Sequence, residues 1–348
     1  MSRTRPGGRM WRFAVPLAVV AGLSLAACAA GTPAPSRSAP LPSPSTPSPS
    51  PSVSSGSGVV EPLTGLVGGV GGSAVVVVVS GGGVVGLGSA DVVFEEVTVP
   101  GPRFLGVFQS RLVSVVGPVG GTRPVDGGLV SVLDPLVGYE GGTAVFVKIL
   151  HGWRVRDVGA GVFPGLYGVR GGGVFVSVRA LARRGRVVVP PELFRYRGAG
   201  SGEESLASVG VSRPSSVVVR FGGAGGRQVW VFDGRSGRWV LSSGGPRVSV
   251  ANVVVQSVVY REAVESRKFG VVVPSARVMG SGRVVVLSGG SGGGVAASGL
   301  WSKPNAGDVT NYLDGDGFPM AFEPGSTWVD LAPPGTRVSM GSSPGTGH

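Results

Sequence analysis

The chain is poor in the residues that make crosslinks and reactive centres. It has one cysteine in 348 residues, so no intramolecular disulfide can hold it together and its apolar core must suffice. Histidine occurs only at 151 and 348. No metal-ligand spacing exists, a zinc site would have to be built mainly from carboxylates, and any Ser-His-acid triad is restricted to His151. Charged residues make up 14% of the chain, with 19 acids against 31 lysines and arginines, for a net charge of +12. Low charge with long apolar runs excludes disorder for the greater part of the chain and predicts a folded, β-rich body.

What is abundant is glycine, at 64 residues, and valine in runs. Glycine-rich stretches therefore carry little motif information. Gly69-Val70-Gly71-Gly72-Ser73-Ala74 resembles a dinucleotide fingerprint but precedes a strand where a phosphate loop must follow one, and Gly289-Gly290-Ser291-Gly292-Gly293 has no following helix to make a nucleophile elbow. No cofactor and no metal are expected.

The most informative segment is Leu25-Ala26-Ala27-Cys28, which closes an apolar run preceded by Arg3, Arg5, Arg9 and Arg12. Basic then apolar is the order of an export signal, and the last four residues look like a lipobox. Residues 1–27 are thus expected to be a lipoprotein signal peptide, with Cys28 lipidated and anchored in membrane lipid. Removing the four arginines leaves +8. Residues 28–60 follow as a Pro/Ser-rich stalk whose Pro42 to Pro51 run favours polyproline II, at ~3.1 Å per residue.

The remainder is expected to be α+β, in two domains. Residues 61–205 read as mixed α/β, with strands at 75–79, 103–109 and 113–119, a helix or strand at 90–96, and helical spacing at 125–136, 144–150 and 175–184. Residues 206–335 read as antiparallel β, with strands at 217–221, 229–232, 239–242, 252–260, 284–287 and 327–331 and Asp-Gly turns at 233, 314 and 316. The boundary falls at 198–212, and 336–348 is expected to be a disordered tail.

Ordered along this body are Pro62-Leu63-Thr64-Gly65-Leu66, Ala90-Asp91-Val92-Val93-Phe94-Glu95-Glu96, Arg103-Phe104-Leu105, Phe108-Gln109-Ser110, Gly117-Pro118-Val119 and Arg123-Pro124. Asn252-Val253-Val254-Val255-Gln256, Gly280-Ser281-Gly282, Trp301, Asn311-Tyr312-Leu313-Asp314 and Pro324-Gly325-Ser326-Thr327-Trp328-Val329 continue the series. As a set, spanning roughly residues 61–333, they resemble the YerB-like lipoprotein family. The resemblance implies a two-part extracytoplasmic lipoprotein with no agreed activity. Where family members carry polar residues this chain has Ser80-Gly81, Val84-Val85, Gly120-Gly121 and Gly172-Gly173-Val174.

Asp91, Glu95 and Glu96 form the best acidic cluster, with Arg103 and Arg123 as ion-pair partners. Glu95 and Glu96 are adjacent, so on a strand they point to opposite faces. A carboxylate-dependent hydrolase of wall glycan or peptide would need one of them opposite Asp126 or Glu140 at ~5 to 10 Å. Tyr139, Lys148 and His151 lie around Gly141-Gly142, and any cleft is expected between the Glu95 region and residues 123–151. Arg154, Arg156, Arg170, Arg179, Arg183, Arg184, Arg186, Arg195 and Arg197 crowd one stretch against Asp157 and Glu192 alone. Outside the cytoplasm such a face meets anionic wall polymer or lipid, and nucleic acid is not an expected partner. The expectation is a lipid-anchored protein on the extracytoplasmic face of the cell membrane, binding wall polymer or envelope-assembly proteins, with the hydrolase as the alternative.

Overall fold

Five consecutive valines can be buried only if both faces of their strand are covered, and that requirement organises the fold. The computed structural model describes residues 59–341, apart from residues 70, 99–100, 199–205, 207–211, 224 and 263–272. The expected signal peptide, Cys28, the stalk up to residue 58 and the tail beyond 341 lie outside the described residues.

Val75–Ser80 lies inside a ten-stranded sheet whose spatial order is Asn311–Leu313, Val295–Lys303, Gly280–Ser288, Asn252–Ser257, Thr327–Ala332, Val92–Glu96, Arg103–Phe108, Val75–Ser80, Leu136–Gly138 and Arg156–Asp157. The pleat sends Val76 and Val78 to one core and Val75, Val77 and Val79 to the other. All five are inaccessible to solvent, and each contributes roughly 1.5–3 kcal/mol of transfer free energy.

A five-stranded sheet covers one face, in the order Ser249–Val250, Arg238–Ser243, Arg227–Asp233, Ser216–Arg220, Arg337–Gly341. Its strands alternate, sending Val217, Val219, Trp230, Trp239 and Leu241 inward, as expected for a sheet with one wet side. Trp328 of the large sheet meets Phe104 and Trp230 edge-on, with ring centroids 5.6 and 5.9 Å away. The opposite face is covered by helices α1 (Val125–Val130) and α2 (Ala144–His151) and by the Leu193-Phe194 segment, while α3 (Val178–Ala182) packs with the core that holds Val75, Val77 and Val79. Among the described residues no helix is long and apolar enough to cross a membrane.

The body is β-rich. Several expectations are corrected. The boundary expected at 198–212 does not separate two sheets, because Thr327–Ala332 runs parallel between Asn252–Ser257 of the second half and Val92–Glu96 of the first. Its six residues are buried throughout, so each half supplies part of the other's core. The second half is therefore not purely antiparallel. Residues 113–119 are not a strand but make isolated bridges from Val116, Gly117 and Val119. The helical spacing at 125–136 divides into α1, a 3-10 turn Ser131–Leu133 and the strand Leu136–Gly138, with Asp134 in the left-handed region and Pro135 stopping the helix. The spacing at 175–184 divides at Ser177, which caps α3 by accepting the Ala180 N–H at 3.3 Å after the strand Gly173–Val176 has ended. The tail expected from 336 begins instead with Arg337–Gly341, an edge strand in full register with Ser216–Arg220, and Val59–Val60, placed in the stalk, pairs with Val67–Gly68.

Because one sheet contains both halves, unfolding followed by far-UV circular dichroism and by tryptophan fluorescence should give coincident transitions. Trp328→Ala should shift both together, by about 3–5 kcal/mol. Two separate transitions would show halves that fold independently.

Candidate functional site

Glu95 and Glu96 sit at the centre of the large sheet, and the pleat divides them. Glu95 lies in register with Asp330 on the neighbouring parallel strand, both facing the five-stranded sheet. Gln228 descends from that sheet and donates from Nε2 to Glu95 Oε2 at 2.7 Å and to Asp330 Oδ1 at 3.3 Å. Trp328 Nε1 donates to Asp330 Oδ1 at 2.8 Å, and Trp230 Nε1 donates to Gln228 Oε1 at 3.0 Å. Glu95, Gln228 and Asp330 are all buried. Burial pushes the Asp330 carboxyl up to about 7, the hydrogen bonds from Trp328 and Gln228 opposing it. Glu95 is pushed well above its usual range by burial and by the neighbouring Asp330 charge. The pair is thus a proton-holding core element. Asp330 and Gln228 were not singled out from sequence, although the spacing Trp328, Asp330 already places that acid on the face of a buried tryptophan.

Glu96 points to the opposite face, as its adjacency to Glu95 required. It lies in register with Arg103, whose Nη1 reaches Glu96 Oε2 at 3.5 Å and Asp126 Oδ1 at 2.7 Å, while Nη2 reaches Asp126 Oδ2 at 2.5 Å. Arg103 also donates to the Gly121 carbonyl, and the Arg123 N–H donates to Asp126 at 2.9 Å. Burial raises the Glu96 carboxyl and the Arg103 charge pulls it back, with the Arg123 charge acting in the same sense. Arg123 itself is half-buried, and desolvation lowers its guanidinium, which Glu96 opposes. Glu96, Arg103 and Asp126 are 0, 2 and 0% exposed, so the space a substrate would need between two catalytic carboxylates is filled by a guanidinium. Asp91 is also buried. It accepts the backbone N–H groups of Gln109 and Ser110 at 2.5 and 2.9 Å and the Ser110 hydroxyl, which ties off the end of the Arg103–Phe108 strand.

The sheet edge at Arg156–Asp157 is different, because it is open to water. Asp157 Oδ2 accepts from the Tyr139 hydroxyl at 2.8 Å and lies 2.6 Å from His151 Nε2, and its Oδ1 accepts the Gly159 N–H at 2.8 Å. Tyr139 and His151 are therefore brought together by an acid not chosen from sequence as a site residue, while Glu140 and Lys148 stand exposed nearby in the chain. Burial and Asp157 raise the Tyr139 phenol.

On the neighbouring residue the chemistry reverses. Asp134, held in the left-handed region at φ 45°, gathers Arg154 Nη2 at 3.2 Å, Arg156 Nε at 3.4 Å and Arg186 Nη2 at 3.4 Å. Arg156 is fixed further by donating to the Asp134 and Arg186 carbonyls. The side chains of Arg154 and Arg186 are each 73% exposed, whereas that of Asp134 is 9% exposed. One carboxylate thus orients three guanidiniums and leaves two of them facing solvent with excess positive charge.

A cleft of about 430 Å³ opens beside α1, lined by Pro124, Val125, Gly128 and Trp153 and, across from them, by Arg277 and Met279 among others. The 123–151 side of the expected cleft is there. Its other wall is residues 261–262 and 275–279 and not the Glu95 region, because Glu95 faces the interior of the sandwich. Among the described residues, no three His, Cys, Asp or Glu side chains are placed to hold a metal ion.

The raised carboxyl of Asp330 has a consequence for stability. Its folded value, about 7, lies above the ordinary 3.8, so the folded state holds a proton that the unfolded state releases. That contribution is complete below pH ~4 and is lost as pH climbs toward 7. Asp330→Asn should flatten this decline in chemical denaturation at pH 4 to 8, and an unchanged slope would count against the proton.

A family model described as protein of unknown function (DUF3048) N-terminal domain matches residues 82–164, and one described as the DUF3048 C-terminal domain matches residues 217–329. The fold is similar to the crystal structure of YerB protein from Bacillus subtilis, with a TM-score of 0.64 and 18% identity, covering 81% of this chain and 99% of that one. No curated protein matches the chain.

Proposed function

The chain belongs to the DUF3048 family, YerB-like proteins of unknown function, and we propose that it works as a lipid-anchored binding protein on the outer face of the cell membrane, contacting an anionic wall polymer. The observation that carries this reading is the cluster on Asp134. Arg154 and Arg186 present exposed guanidiniums whose orientation is held in advance, which reduces the side-chain ordering that binding would cost. Guanidinium forks match phosphate oxygens in pairs, and a repeating polyanion can engage several of them. Arg184, whose guanidinium stacks on Phe163 at 5.4 Å, extends the basic surface along the chain.

Supporting the anchor is Cys28 behind its apolar run and ahead of a Pro/Ser-rich stretch. The carboxylate hydrolase is the weaker reading, since Glu96 and Asp126 would both have to release Arg103 and leave buried charges unpaired.

Binding to a poly(glycerol phosphate) chain, followed by calorimetry, should weaken steeply between about 0.1 and about 1 M salt, as the Debye length falls from about 10 to about 3 Å. Arg154→Ala combined with Arg186→Ala should remove the interaction while leaving the unfolding transition in place. Affinity indifferent to salt and to both substitutions would defeat the proposal. Independently, Cys28→Ser should move the protein from the membrane to the soluble fraction, and full retention in the membrane would refute lipid anchoring there.

A further inference from the structure

At the other end of the large sheet a lysine is buried where, among the described residues, no carboxylate meets it. Lys303 ends the strand Val295–Lys303, is 3% exposed, and donates from Nζ to the Gly128 carbonyl in α1 at 2.9 Å. It lines a small cavity of about 20 Å³ with apolar walls that include Phe94, Leu129 and Val278, and with Gln256 and Tyr312. Leu193, Phe194, Thr310 and Tyr312 line both this cavity and an outer cleft of about 250 Å³, so the cavity adjoins the cleft across shared walls, with the amine on the inner side of this recess. Tyr312 donates its hydroxyl to Gln256 Oε1 at 3.0 Å. The charged groups around the recess are Asp308, which acts on Lys303 from the following loop, and Glu192 and Arg195 in the outer cleft.

An amine stripped of water and lacking an ion-pair partner keeps its lone pair at mild pH, which is the condition for adding to a carbonyl. We propose that this recess is a binding site for small aldehydes or ketones, which Lys303 Nζ captures as a reversible imine. In the step, the Nζ lone pair adds to the carbonyl carbon, and the oxygen then leaves as water with the two amine protons. No electrons are exchanged. The site stands independently of the arginine cluster at the opposite edge of the sheet.

Burial lowers the Lys303 ammonium to about 8, the Asp308 charge opposing, whereas a solvated lysine is about 0.4% neutral at pH 8. The chain has three lysines, at 148, 268 and 303, so the reaction can be mapped site by site. The full-length protein is incubated with propionaldehyde and cyanoborohydride at several pH values, and the propyl adducts are located by peptide mass spectrometry. Lys303 should label at least about tenfold faster than the exposed Lys148 at pH 8, with a rate half-maximal near that pH. Labelling of Lys303 no faster than that of Lys148 would overturn the proposal, and this comparison uses the unmodified protein. Val309→Trp, which fills the outer cleft, should slow labelling at Lys303 alone. Undiminished labelling in that variant would show that the recess is not the route to the amine.

Discussion

Burial of both faces of one sheet is the constraint on which the rest of this structure depends. Thr327–Ala332 is enclosed above, below and on either side, and it is the strand that binds the two sequence halves together. Any polar side chain on such a strand must be satisfied from within. The two answers lie back to back on adjacent residues. Glu95 shares Gln228 with Asp330 in a proton-rich network, while Glu96 shares Arg103 with Asp126 in an ion pair. The difference follows from what covers each face. Trp328 and Gln228, the latter held by Trp230, offer neutral donors to the first pair, and an in-register arginine offers charge to the second.

The same constraint places chemistry at the margins. With the sheet centre sealed, solvent reaches polar clusters only where the strands run out. At one edge the short strand Arg156–Asp157 carries Asp157 with His151 and Tyr139 on one face, and Arg156 with Asp134, Arg154 and Arg186 on the other. Charged residues on a two-residue edge strand also protect the sheet from pairing with another chain. At the other edge the pocket of Lys303 is bounded by the last two strands of the sheet and by Leu193-Phe194. The binding proposed at the rim therefore leaves the sealed core in place.

Several features were legible in the sequence because they depend on local rules. The valine run at 75–79 could only be a strand covered on both sides, α2 lay where the spacing placed it, and adjacent glutamates had to diverge. The Asp-Gly turn at 233 formed as expected, although it is Gly237 that takes the positive φ of 66°. Short helices were read too long at 125–136 and 175–184, since apolar spacing continues across Asp134-Pro135 and Ser177 while hydrogen bonding does not.

Composition, periodicity and turn residues by themselves determined a β-rich body and the opposed directions of Glu95 and Glu96, the ordered motif segments carried the family resemblance, and Arg103 and Arg123 stood out as ion-pair partners for the acidic cluster as a whole. These are properties of short stretches of chain. Only the tertiary structure decided that the two halves share a sheet, that Asp330 and Gln228 complete the Glu95 network, that Asp157 joins Tyr139 to His151, and that Asp134 holds three arginines. Most of these join segments separated by a helix, by a long stretch of chain or by much of the body, and spacing along the chain carries no record of which strands will be laid side by side.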